Sequence, residues 1–140
     1  MHPSLKGDQG VGFVMATLLA HRIQVALPVS EYLPFDLIAI SPEGKLRKVS
    51  VKYRQAKSDK IETELVRKPH GGSGKQRRAV TDSEIDGVAL YCPDTGQCYF
   101  IRMDQVKGQV VTLRLKPPGN GQTKGIKMAS DFTDPYLLFQ

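Results

Sequence analysis

The sequence predicts an α/β (α+β) fold in which a mixed β-sheet is flanked by helices. The prediction depends on an apolar stripe at helical spacing near the N-terminus, a strand pair joined by a turn after it, and a second strand pair later in the chain. At 140 residues with 40% apolar content, the chain is expected to form a single domain, residues 1–140.

The predicted helix covers residues 6–22, with Ser4 as a candidate N-cap and His21 contributing a C-terminal cap. Its apolar stripe follows the spacing i, i+3, i+4, i+7, i+8 and consists of Val11, Val14, Met15, Leu18 and Leu19. A first strand is expected at residues 23–27, ended by Pro28.

A hairpin at residues 36–52 is the centre of the prediction. Asp36 precedes an apolar run, a Pro-Glu-Gly turn follows, and the next strand alternates polar and apolar residues. Because side chains alternate with period two, Ser50 and Lys52 share one face, and Asp36 on the neighbouring strand is expected to meet Lys52 there. A carboxylate and an ammonium brought together are the beginning of a site that hydrolyses phosphodiesters.

Further strands are predicted at 61–66, 87–91, 97–101 and 110–115, with an edge piece at 126–129. Cys92 and Cys98 flank the turn of the second hairpin and are expected to face each other as reduced, partly buried thiols. A disulfide would need an oxidising compartment, and two thiols are too few for a zinc site.

The charge favours a polyanionic partner, nucleic acid before membrane. Twenty Lys and Arg against fourteen Asp and Glu give a net charge of +6. Residues 52–84 form a basic, loop-rich segment, whose candidate DNA-binding residues are Arg54, Lys57, Lys60, Lys75, Arg77 and Arg78. The alternative is a solvated loop whose lysines serve solubility.

No apolar run approaches the roughly 18 residues that predict a membrane span, and the N-terminus does not have the pattern of a signal peptide. We therefore expect no membrane partner and a cytoplasmic location.

Several segments, in order, resemble the PD-(D/E)XK nuclease superfamily, and within it the branch of group I intron homing endonucleases. They are the helix start at 6–10, the strand-and-acid segment at 28–37, the strand at 49–52, and the later strands at 86–93, 98–101 and 112–115. The resemblance implies a restriction-endonuclease-like core, double-stranded DNA as partner, Mg²⁺ as cofactor and a homo-oligomer. It also implies that Asp36 is the metal-binding aspartate and Lys52 the active-site lysine. The apolar tail at 136–139 would serve association between subunits or pack on its own core.

Two positions depart from the family pattern. Val11 stands where the helix of the family carries glutamate, and Ser50 where its strand carries glutamate, aspartate or glutamine. Asp36, Ser50 and Lys52 are thus the candidate catalytic residues, with Asp36 as the retained metal ligand. Asp8 or Glu31 is an alternative source of the missing acid.

Three functions follow as hypotheses: a DNA-binding protein of endonuclease fold with weak or lost cleavage, an active metal-dependent endonuclease with a migrated ligand, or a non-enzymatic β-rich interaction module. Metal-dependent cutting of DNA separates the first two, and salt-dependent DNA binding separates both from the third.

Overall fold

The computed structural model describes residues 1–67 and 78–140. In chain order the elements are α1 (Pro3–Ala20), β1 (Gln24–Ala26), β2 (Leu37–Ile40), β3 (Leu46–Tyr53), β4 (Lys60–Glu64), β5 (Val66–Arg67), β6 (Arg78–Ala79), β7 (Gly87–Cys92), β8 (Gln97–Arg102) and β9 (Val110–Arg114). Short 3-10 helices cover Met103–Gln105, Ala129–Phe132 and Pro135–Phe139.

A five-stranded sheet in the order β1-β2-β3-β7-β8 forms the centre of the fold. β3 and β7 pair in parallel and the other neighbours pair antiparallel, so the predicted mixed sheet and α+β class are confirmed. β4 pairs with β9, and β5 with β6, in two further two-stranded sheets.

The two faces of the central sheet are covered by different elements. On one face, Val14 and Leu18 of α1 pack against Leu37, Val49 and Ala89 of the strands. On the other face, the β4–β9 pair contributes a second buried cluster with the sheet residues, which includes Ile61, Leu113, Val88, Leu90 and Ile101. In the part of the chain that the structure describes, α1 therefore covers one face of the sheet and the β4–β9 pair covers the other.

The helix begins earlier than predicted. His2, not Ser4, is the N-cap, and its Nδ1 accepts a hydrogen bond from the Ser4 backbone N–H at 3.1 Å. His21 is the C-cap residue, as predicted.

The buried stripe of α1 differs from the predicted one by a rotation of the helix. Gly10, Val14 and Leu18 are buried, whereas Val11 is half-buried and Leu19 is 49% exposed. α1 packs directly on β3 at Gly10, where a Cβ would lie at an ordinary contact distance of 3.5 Å from Val51 Cγ1 and from Tyr53 Cβ.

Register corrects the prediction for the cysteines. Cys98 pairs with Tyr91, and Cys92 with Gln97. The two thiols therefore point to opposite faces, Cys92 into one buried cluster and Cys98 into the other. Both are free and buried.

The apolar tail packs on its own sheet. Leu138 is 1% exposed, and its carbonyl accepts a hydrogen bond from Arg47 Nε at 2.9 Å. The Tyr136 hydroxyl donates to the carbonyl of His21. The expected edge piece at 126–129 is reduced to a single bridge between Met128 and Arg114.

None of the described helices combines the length and apolar character that crossing a membrane would require.

Candidate functional site

Asp36 lies immediately before β2, at the point where this strand meets β3. Its backbone N–H donates to the Val49 carbonyl at 2.9 Å, which continues the ladder of the two strands. At the next N–H of β3 that points towards β2, that of Val51, the hydrogen-bond acceptor is the Asp36 side chain: Oδ2 accepts from this N–H at 2.6 Å. The carboxylate is thereby held against β3 while the residue stays exposed.

Ser50 lies across from Asp36. The register pairs Leu37 with Val49, so the next position along each strand places Asp36 opposite Ser50 on the same face. On its other side Ser50 pairs with Val88 of β7. Ser50 is only 8% exposed, and its hydroxyl makes no side-chain hydrogen bond within the described part of the chain.

Lys52 follows two positions further along β3 and shares this face. Burial lowers the pKa of its ammonium, the positive charge of Arg54 lowers it further, and the Asp36 carboxylate raises it. Because the register places Asp36 opposite Ser50, Asp36 and Lys52 lie on the same face of neighbouring strands. Their catalytic roles remain predictions.

Beyond Lys52, β3 ends at an open, basic pocket of about 610 Å³. The start of α1, the end of β3 and the start of β4 form it, and its lining residues are Pro3, Lys6, Tyr53, Arg54, Gln55, Lys57, Ser58, Lys60 and Glu62. Four of these side chains are cationic and one is acidic. Three of the cations, Arg54, Lys57 and Lys60, were predicted as DNA-binding residues.

Among the described cations of the pocket, Lys6 was not predicted to bind DNA. Its Nζ lies 5.9 Å from the centre of the Tyr53 ring, a cation–π distance. The sequence marks Lys6 only as part of a helix start. Its place in the pocket depends on how closely α1 packs against the end of β3.

A tight turn holds Lys57 and Lys60 at the rim of the pocket. The Lys57 N–H donates to the Lys60 carbonyl at 2.8 Å, and the Lys60 N–H to the Lys57 carbonyl at 3.0 Å. Ser58 and Asp59 between them have φ of 52° and 60°, the positive values of a type I′ hairpin turn.

Of the remaining predicted DNA-binding residues, Arg78 is described and does not line this pocket. Arg78 is exposed and forms a two-bonded ion pair with Glu84, at 2.6 and 2.8 Å. Lys75 and Arg77 lie outside the described residues.

The two candidate replacement acids lie on separate elements. Asp8 is exposed on α1, and Glu31 is exposed in the connection between β1 and β2. Within residues 1–67 and 78–140, no three His, Cys, Asp or Glu side chains are grouped closely enough to hold a metal ion. Asp36, Asp8 and Glu31 therefore do not form a metal-binding group of three acids.

Comparison with known proteins identifies the family. A model of the PD-(D/E)XK endonuclease family matches residues 1–135. The chain belongs to the PD-(D/E)XK endonuclease family. The superfamily predicted from the order of short motifs is thus confirmed.

The fold of this PD-(D/E)XK chain is also similar to a solved structure, that of the bacterial homing endonuclease I-Ssp6803I. The superposition has a TM-score of 0.74 at 19% sequence identity and covers 99% of this chain and 93% of the other. At that identity the likeness concerns the fold. A comparison with curated protein sequences finds no match.

PD-(D/E)XK nucleases generally use divalent metal ions. Mg²⁺ prefers octahedral oxygen coordination that includes carboxylates. At the predicted position this chain offers the Asp36 carboxylate, one oxygen of which is bonded to Val51, and a hydroxyl at Ser50. This donor set does not fit a resident Mg²⁺.

Proposed function

We propose that this PD-(D/E)XK family member binds double-stranded DNA and that its metal-dependent cleavage is weak or lost. One observation carries the proposal: Asp36, Ser50 and Lys52 share one face of β2 and β3, but a neutral serine stands between the acid and the lysine. The site thus keeps the lysine that would contact a phosphate, Lys52, but of the acids that would hold a metal ion it keeps only Asp36.

Binding is supported by the cations that continue from this site. Arg54 follows Lys52 two positions later, just beyond the end of β3, and lines the pocket together with Lys57 and Lys60. Phosphate contacts of this kind supply most of the sequence-independent affinity for DNA. The net charge of +6 acts in the same direction by attracting the polyanion.

The chemistry of the site favours holding a phosphate over cutting beside it. The Lys52 ammonium offsets phosphate charge and the Ser50 hydroxyl can donate a hydrogen bond to a phosphate oxygen. The ammonium does not bind a cation, and a neutral hydroxyl is a weaker ligand for Mg²⁺ than a carboxylate. With Asp36 as the one acid at this position, the site does not concentrate the positive charge that hydrolysis of a phosphodiester requires.

We also propose that the protein acts as a homo-oligomer, since one copy presents one such face whereas a duplex has two strands. The tail at 136–139 packs on its own sheet, so an interface would use other surfaces. Light scattering after size-exclusion chromatography measures this directly, and a monomer with and without duplex DNA would contradict it.

Two measurements test the proposed function. A fluorescently labelled duplex is titrated with the protein at increasing salt in EDTA, and supercoiled plasmid is incubated with the protein and Mg²⁺ or Mn²⁺. We expect binding that weakens steeply with salt, and little nicking.

The contrary outcomes identify the alternatives. Metal-dependent nicking that Asp36→Ala abolishes would indicate an active endonuclease with an acid supplied from elsewhere, such as Asp8 or Glu31. Absence of binding even at low salt would leave only the non-enzymatic interaction module.

A further inference from the structure

The pocket at the end of β3 collects more positive charge than its surroundings neutralise. Lys6, Lys57 and Lys60 form no ion pair within the described part of the chain. Glu62, the one acid among the described lining residues, accepts a hydrogen bond from the Thr112 hydroxyl at 2.9 Å. Like charges brought together without counter-ions raise the free energy of the protein, so an anionic ligand would stabilise this arrangement.

The cations are held in place by the fold. Lys57 and Lys60 extend from the ends of a turn closed by two backbone hydrogen bonds, and the Asp59 carbonyl accepts a third from the Leu115 N–H at 2.8 Å. Arg54 is tied to β7 through its N–H and the Tyr91 carbonyl, at 3.0 Å. Burial lowers the pKa of the Arg54 guanidinium, which stays charged at any ordinary pH.

The place of the pocket relative to Lys52 indicates its ligand. Arg54 lies two positions after Lys52, just beyond the end of β3. In extended backbone, two positions span roughly 7 Å. This is close to the separation of neighbouring phosphates on one nucleic-acid strand. A strand whose phosphate contacts Lys52 therefore brings its next phosphate to the pocket.

We propose that the pocket formed by Lys6, Arg54, Lys57 and Lys60 is a phosphate-binding site for the nucleic-acid backbone, adjacent to the Asp36/Lys52 site and independent of metal ions. The inference builds on the proposed function and locates the DNA grip within it. It assigns a DNA-binding role to Lys6 of α1. Because the described lining of the pocket does not include Asp36, Ser50 or Lys52, DNA binding by the pocket can be tested apart from cleavage.

The test compares two triple variants by duplex binding in EDTA, with salt varied between about 50 and 200 mM. The pocket variant is Lys6→Met, Lys57→Met, Lys60→Met. The control variant is Lys45→Met, Lys107→Met, Lys124→Met, which removes the same charge from exposed lysines outside the pocket. Circular dichroism confirms that both are folded.

We expect the pocket variant to bind about threefold to tenfold more weakly than the control variant, and its log–log salt slope to fall by about 0.9 for each phosphate released. Equal affinities and slopes for the two variants, with the unchanged protein still binding DNA, would overturn the pocket and leave the proposed function standing. If the unchanged protein does not bind duplex DNA at low salt, both proposals are wrong.

Discussion

The Asp36 carboxylate accepts a hydrogen bond from the Val51 backbone N–H at 2.6 Å. This bond joins the start of β2 to β3 one residue before Lys52, and it therefore fixes the acid beside the lysine. Asp36 thus has a structural role, as acceptor for β3, and a proposed chemical role, as a charged group at an exposed site. Substitution can separate the two roles.

Asp36→Asn keeps an oxygen for the Val51 N–H and removes the charge, whereas Asp36→Ala removes both. We expect the free energy of unfolding of the Asn variant to stay within about 0.5 kcal/mol of the original, and that of the Ala variant to fall by about 1 kcal/mol. Urea denaturation measures both. Equal losses in the two variants would show that the hydrogen bond does not contribute.

Lys52 makes stability depend on pH. Its folded-state pKa is lowered from 10.5, chiefly by burial, so the unfolded chain binds the proton more tightly than the folded one. The cost of keeping this buried ammonium charged is fully present below the lowered pKa and disappears as the pH rises towards 10.5.

We therefore expect the stability of the original protein to increase relative to Lys52→Met between about pH 7 and about pH 10. Urea denaturation at several pH values gives the difference, and Lys45→Met controls for loss of an exposed lysine. A difference that stays constant, or that changes in the opposite direction, would argue against a desolvated Lys52.

Two glycines provide a matched test of the packing that holds the site. A Cβ on Gly87 of β7 would lie 2.6 Å from Leu138 Cδ2 and 3.0 Å from the Ile101 carbonyl oxygen, whereas a Cβ on Gly12 of α1 would contact nothing within 4 Å. We expect Gly87→Ala to lower the free energy of unfolding by roughly 1–3 kcal/mol. Gly12→Ala should raise it by about 0.5–1 kcal/mol. A neutral Gly87→Ala would mean that the tail is not seated on β7.

The meeting of Asp36 and Lys52 was predictable because it depends on local rules. Strand periodicity places Ser50 and Lys52 on one face, and a short Pro/Gly turn brings the strand after Asp36 alongside. The mixed sheet followed from the same hairpin patterns and from the order of the motifs.

The rest depends on packing between distant segments. No local signal shows that β4 and β9 pair across about fifty positions, with Glu62 opposite Thr112, to cover one face of the central sheet. The place of Lys6 depends on how α1 packs against Val51 and Tyr53 of β3. The register of β7 and β8 pairs Cys98 with Tyr91, one position away from Cys92, so the two thiols lie on opposite faces of the sheet.

Val11 and Ser50 are the two positions that depart from the family pattern, and both can be substituted. Val11 follows Gly10, which packs at the level of Val51, and Val51 is the residue bonded to Asp36. A glutamate at position 11 and a glutamine at position 50 would return the side chains that the family carries there.

Nicking of supercoiled plasmid in Mg²⁺ or Mn²⁺, by the original chain and by the Val11→Glu, Ser50→Gln variant, tests the central claim most directly. We predict that the variant cuts faster by about tenfold or more, equivalent to roughly 1.4 kcal/mol of transition-state stabilisation, and that adding Asp36→Ala to it abolishes the gain. Efficient metal-dependent cutting by the original chain, with no gain in the variant, would contradict the claim that the site has lost its acidic ligands.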